Sequence, residues 1–267
     1  MQAIHRNTIH VFALILVAAP AVCRADAPEV FRATLPATVW VVDSVHGYSG
    51  SGAVIDMDQR LIVTAAHVVE GSKDVMIFFP AFNSSGKLID DRKIYLKAEN
   101  LRVLAARRYE TTGHVIAVNR THDLALIQVR TLSKTARALS LATTAPERGA
   151  PLYYVGHPAN RPLWSCALGE LDRIATFEWT PEGAPEPIHA SAVVFFGQVW
   201  NGNSGGPVVN ARHELVGILS SGDLHLKGVA IDGHEIAALV QTAHNAAAEQ
   251  ATVDQATTAN AARARIE

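Results

Sequence analysis

Cysteine is almost missing from this chain: 267 residues contain two, Cys23 and Cys166. Cys23 lies in an N-terminal stretch that reads as removable, which would leave Cys166 alone, so no intramolecular disulfide is available and the core must hold the fold. Cys166 sits in the apolar run WSCALGEL and is expected to be a buried small hydrophobe. Charge is also sparse, at 18% of residues with a formal net charge of −2 and no long runs of one sign, which excludes the basic footprint of a nucleic-acid binder. No self-similarity at a period of roughly 20 to 50 residues is present, excluding a repeat architecture. The 12 histidines include no HExxH and no Cys/His pairing at zinc spacing, so no metal and no cofactor is expected, and activity should survive chelators. His46, His157, His189 and His213 are expected to be surface or loop residues. What is plentiful is apolar character: 49% of the chain, enough to bury a substantial core.

Residues 1–25 read as an export signal. His5, Arg6 and His10 precede the apolar run VFALILVAAPAV, and VCRADA supplies small residues at the spacing a signal peptidase reads. Cleavage after Ala25 fits better than after Ala27, because Pro28 follows the second site. A lipoprotein anchor at Cys23 is disfavoured by Val22. An N-terminal membrane anchor is disfavoured by the proline and by a run short of the ~20 apolar residues needed to span. The expectation is an exported chain, periplasmic or secreted, with no membrane span after processing; its oligomeric state is not legible.

Beyond the signal, short strands dominate. ATVWVVDS, GSGAVIDM, RLIVTAA, DVMIFFP, HVIAVN, LALIQVR, PLYYVG, SAVVFFGQVW, GPVVN and ELVGILS are rich in β-branched or aromatic residues and separated by Gly, Pro, Asn or Asp. Many strands without intervening helices predict an all-β barrel or sandwich. One helix is clear, opening at Asp232 with Glu235 three residues on in the manner of a capping box, then Ile236, Leu239, Val240 and Ala243 at helical spacing. The domain is expected to cover residues 28–247, with 248–267 a frayed, disordered tail. Residues 82–93 and 180–189 read as long surface loops, either spacers or elements that touch substrate.

NGNSGGPVVN, residues 201–210, is composed like an ordinary turn. Ser204 within it becomes a candidate nucleophile only if a base and an orienting acid exist elsewhere. RLIVTAAHVVEG places His67 just after a strand, and THDLALIQVR places Asp123 at the start of another. Imidazole suits general-base work at neutral pH but needs an acceptor on its far nitrogen, which Asp123 could supply.

TAAHV, HDLAL and GNSGGP follow in the His, Asp, Ser order of the chymotrypsin-like peptidases, and each segment resembles that family's motif. YSGSGAVIDMDQRLIVTAAHVV, LYYVGHPANRPLWSCALGEL and GVAIDGHEIAALV narrow the likeness to the HtrA-like bacterial branch, over roughly residues 30 to 245. The resemblance implies two six-stranded antiparallel barrels with a C-terminal helix, a protein or peptide substrate, and a cleft between the barrels. In that cleft His67, Asp123 and Ser204 would be catalytic, with the backbone N–H groups of Gly202 and Ser204 as the oxyanion hole. Gln198, Trp200 and Asn201 on one side and Ser220, Ser221 and Gly222 on the other would wall the substrate pocket. No carboxylate lies there, so small or medium apolar side chains are expected before the cut.

Two alternatives stay open. GNSGG also fits the G-x-S-x-G of α/β-hydrolases, but no helix follows and strands do not alternate with helices. A protease-like fold that binds without cutting is the other, since loop conformation is not written in sequence. Two departures matter. Asn203 stands where the digestive relatives carry the Asp that pairs with a freshly cut N-terminus, so zymogen activation is not expected. After residue 245 no PDZ domain is expected.

Overall fold

A computed structural model describes residues 27–180, 186–222 and 227–263; the expected export signal, 1–25, lies outside the described residues. Six strands close the first barrel: β1 (Thr38–Asp43), β2 (Tyr48–Asp56), β3 (Leu61–Thr64), β4 (Asp74–Phe78), β5 (Glu110–Asn119) and β6 (Leu124–Val129). The second is closed by β7 (Pro151–Gly156), β8 (Ser165–Trp179), β9 (Ile188–Phe196), β10 (Pro207–Val209), β11 (Leu215–Gly222) and β12 (Lys227–Asp232). All pairings are antiparallel, in the orders β1-β2-β3-β6-β5-β4 and β10-β11-β12-β9-β8-β7, so both barrels have the same topology. The fold is the trypsin-like pair of barrels that the family resemblance implies.

The strands form where β-branched side chains fill a barrel. Val39, Val41, Val54, Ile62, Ile77 and Ile127 make the interior of the first; Leu152, Leu171, Val193, Phe195, Val208 and Leu219 make that of the second. Each such side chain contributes about 1.5–3 kcal/mol when fully buried. β1 is buried on both faces, which is why TVWVVD reads as a continuous apolar run rather than an alternating one.

Two clusters lock the barrels together. One joins Ala53, Val63, Leu124 and Leu126 of the first to Tyr153, Val209, Leu215 and Ile218 of the second. The other joins Trp40 and Phe78 to Val155, Leu163 and Trp164 through Tyr95. Tyr95 belongs to α2 (Arg92–Leu96), which with α3 (Ala98–Ala106) lies in the connection between β4 and β5. The sequence suggests a loop over 82–93; the helices escape notice because they are short, and α2 is fixed by a local cap in which Asp91 accepts the Lys93 N–H at 2.9 Å.

A third helix, α1 (Ala27–Thr34), precedes β1. The C-terminal helix, α4 (Gly233–Arg263), docks Ile236 and Leu239 with Val240 and Ala243 on the first cluster, the stripe its spacing predicts. Its capping box does not form: Glu235 accepts the Ser191 N–H at 3.1 Å and pairs with His122 at 2.9 Å. The helix is placed past residue 248, in keeping with the high helix propensity of its alanines. Among the described residues no helix is long and apolar enough to cross a membrane.

Candidate active site

His67 occupies a 3-10 turn, Ala66–Val68, directly after β3. Ala66 and Val68 are buried, so the turn is pinned and the intervening imidazole is pushed outward, its side chain 46% exposed. Asp123 closes the turn before β6 with its N–H on the Arg120 carbonyl and φ +49°, a left-handed conformation that Asp tolerates better than most residues. That bend carries its carboxylate beneath His67, where it is 4% exposed.

The Asp123 carboxylate collects the His67 backbone N–H at 3.1 Å, His67 Nδ1 at 2.9 and 3.0 Å, and the Ser220 hydroxyl at 2.6 Å. An ionised carboxylate only accepts, so Nδ1 carries the proton and Nε2 keeps its lone pair. Burial alone would lower the His67 pKa; the hydrogen bond and charge of Asp123, with the charge of Glu70, outweigh it and raise the pKa above its ordinary value of 6.5.

Ser204 follows a tight turn in which the Asn203 N–H returns to the Trp200 carbonyl at 3.0 Å and Gly202 adopts φ +96°. A side chain at Gly202 would strike the His157 carbonyl, and one at Gly205, φ +83°, would strike Ser51 and Thr64, so glycine is dictated by close approach as well as by φ. The turn is tied to β2 by the Ser51 N–H on the Ser204 carbonyl at 2.7 Å and to β11 by the Gly205 N–H on the Leu219 carbonyl at 2.7 Å. The Ser204 hydroxyl donates to the Ser220 carbonyl at 3.2 Å. Ser220 therefore bridges the site, its hydroxyl on Asp123 and its carbonyl under Ser204. Among the described residues Ser204 makes no hydrogen bond to His67, and the N–H groups of Gly202 and Ser204 have no protein acceptor.

The expected pocket residues divide into two facing segments. The Gln198 carbonyl accepts the Tyr154 hydroxyl at 2.8 Å, the Trp200 ring lies under the Arg161 guanidinium at 4.1 Å, and the Asn201 carbonyl accepts the Ala159 N–H at 2.8 Å. Opposite them, Ser221 and Gly222 pair with Val229 and Gly228. The segments meet where a Cβ on Gly222 would lie 2.6 Å from Val199 Cβ, which narrows the slot between them. Two surface cavities, of about 500 Å³ beside Arg148 and Ile174 and about 310 Å³ beside Phe31 and Leu168, contain none of these residues.

Two expectations are corrected. His157 is not a surface residue: it is 1% exposed, stacked on Trp40 at 6.4 Å and edge-on to Trp164 at 5.0 Å. Ser51 Oγ receives the His157 backbone N–H at 3.1 Å, lies 2.9 Å from His157 Nδ1 and donates to the Gly202 carbonyl at 2.8 Å. With the Ser51 proton on Gly202, Nδ1–H is the donor and Nε2 is a buried lone pair without a partner. Burial, and secondarily the charge of Arg92, holds this imidazole neutral with a pKa well below 6.5. Cys166, expected in the core, is exposed on β8. Sequence reasoning missed Ser51, His157 and Arg92; the Gly-Ser-Gly and Gly-His-Pro strings were visible, but not their tie to residues 201–204.

The model of the trypsin-like peptidase domain matches residues 50–218. No curated protein matches the chain. Among solved structures, the active form of the Rv3671c protease from M. tuberculosis is 20% identical, with TM-score 0.63 over 89% of this chain and 93% of that one. A serine endoprotease from Yersinia pestis is 17% identical, with TM-score 0.58 over 81% and 66%. The HtrA-type protease AlgW with tripeptide is 16% identical, with TM-score 0.59 over 81% and 62%. At these identities the likeness is one of fold.

Proposed function

The chain belongs to the trypsin-like peptidase family, and from that premise we propose that it is a serine endopeptidase acting on exported or unfolded proteins through Ser204, His67 and Asp123. The observation that carries this is the His67 Nδ1 pair with the buried Asp123 carboxylate, linked through Ser220 to the Ser204 hydroxyl. With Nδ1–H held by Asp123, Nε2 is free to take a proton as general base. Ser204 Oγ turns from the Ser220 carbonyl toward Nε2, attacks the scissile carbonyl, and forms an acyl-enzyme as His67 passes the proton to the leaving amine. Asp123 stabilises the imidazolium. The N–H groups of Gly202 and Ser204, with no acceptor among the described residues, are donors for the oxyanion, each worth about 3 kcal/mol of barrier. The narrowed slot between Val199 and Gly222 favours a small residue before the cut. The apolar N-terminal run supports export to the periplasm or medium.

The second reading, a binding protein that does not cut, is favoured by one observation: the Ser204 hydroxyl is bonded to Ser220 rather than to His67. Hydrolysis of unfolded casein and labelling by a fluorophosphonate decide between them. The peptidase turns over and is labelled at Ser204, and Ser204→Ala loses on the order of a million-fold in kcat. An unlabelled, inert parent leaves the binding protein.

A further inference from the structure

We propose that Arg92 is a positioning residue for the oxyanion turn, and that the helical connection between β4 and β5 exists to hold it there. The inference rests on the peptidase reading above. The Arg92 guanidinium donates to three carbonyls of one turn: His157 at 2.7 Å, Pro158 at 2.6 Å and Arg161 at 2.6 Å. Its fork of five donors suits such a cluster, whereas an ammonium is a point charge that cannot span it.

The turn it gathers is the one that contacts the candidate oxyanion donors. The Ala159 N–H donates to the Asn201 carbonyl at 2.8 Å, and the His157 carbonyl packs against Gly202. Because the peptide is planar and trans, holding the Asn201 C=O on one side aims the Gly202 N–H to the other. Ser51, donating to the Gly202 carbonyl at 2.8 Å, fixes the next peptide along. Arg92 thus orients a reacting-site N–H without touching substrate.

Its own base is rigid. The Leu163 N–H binds the Asp90 carbonyl at 2.9 Å, the Tyr95 ring meets Trp164 at 5.2 Å, the Tyr95 hydroxyl accepts the Ala81 N–H at 2.9 Å, and the guanidinium lies 5.7 Å over Trp40. A strap from the first barrel therefore sets a turn of the second.

The test compares the parent with Arg92→Ala and Arg92→Lys by steady-state kinetics on a peptide amide, inhibition by a peptide aldehyde, fluorophosphonate titration and hydrogen exchange. Arg92→Ala should lower kcat roughly 10- to 100-fold, short of the ~10²–10³ for outright loss of an oxyanion donor. KM should stay within about threefold, and aldehyde binding should weaken by the same factor as kcat/KM. Exchange should quicken at residues 157–161 and 200–204 while the barrel strands keep parental protection, and Arg92→Lys should fall between parent and Ala. The inference is overturned if Arg92→Ala keeps kcat within about twofold, if its loss lies wholly in KM or in the titratable fraction, or if exchange quickens throughout both barrels. A parent that is neither active nor labelled overturns the peptidase reading first, and this inference with it.

Discussion

Replacing Asn203 by aspartate swaps an amide for a carboxyl of nearly the same shape, and the surroundings decide the outcome. Asn203 is 2% exposed, its Oδ1 has no hydrogen-bond partner, and Gly156 approaches so closely that a Cβ there would lie 2.7 Å from that oxygen. A carboxylate in this position surrenders its water and finds no donor. Complete burial raises a carboxyl pKa by up to about 3–5 units, from ~3.9 to ~7–9. At pH 7 the folded variant therefore holds a proton that the unfolded chain has released. At about 1.36 kcal/mol per unit, the ~3 units between 3.9 and 7 amount to a loss of about 4 kcal/mol. Because the folded state binds the extra proton, the deficit is small near pH 4, grows as pH rises, and levels off above the folded pKa. Urea unfolding of parent and Asn203→Asp across this range should show nearly matched stabilities at about pH 4 and a gap near 4 kcal/mol at pH 7. A gap that does not change with pH would refute the reasoning. A variant more stable than its parent at pH 7 would mean that a cation reaches this oxygen, reviving activation by a new N-terminus.

Four further outcomes are expected. The raised His67 pKa places the midpoint of the acid limb of kcat/KM above 6.5, with activity gained as pH rises through it; a midpoint at or below 6.5 removes the Asp123 effect. The same raised pKa gives a stability contribution that is full below the unfolded value and is lost as pH rises through the folded one, visible as a shallow decline in unfolding free energy. Asp123→Asn should lower kcat by about 10⁴ while leaving the fold intact, and a loss under about tenfold would argue that His67 is oriented by something else. Val199→Gly should widen the slot beside Gly222, so that cleavage-site profiling shows leucine or phenylalanine before the cut gaining roughly 10- to 200-fold relative to alanine; an unchanged profile means that Val199 does not set the limit.

What the sequence discloses and what it conceals divide along the range of the interactions concerned. Barrel strands such as LIVT and LALIQV announce themselves because each buries its own β-branched residues, and His67, Asp123 and Ser204 are marked by the strands and turns beside them. The contacts that tie the site together join residues far apart in the chain: Ser220 to Asp123 across 97 positions, Ser51 to Gly202 across 151, and Arg92 to His157 across 65. No local composition distinguishes the Ser220 hydroxyl, which grips Asp123, from that of Ser221 beside it. His157 and Cys166 depart from expectation for the same reason. Residue type favours a wet imidazole and a dry thiol. Closing the second barrel against the first inverts both, because Ser51 supplies His157 with a buried partner for Nδ1 and Trp40 and Trp164 enclose the ring, while Cys166 falls on the outward register of β8, with Leu168 two residues on also exposed. Burial at these positions is decided by which barrel face meets the other. That choice belongs to the assembled pair of barrels, which is why an informative substitution in this protein lies at a residue such as Arg92, whose neighbours in sequence say nothing about it.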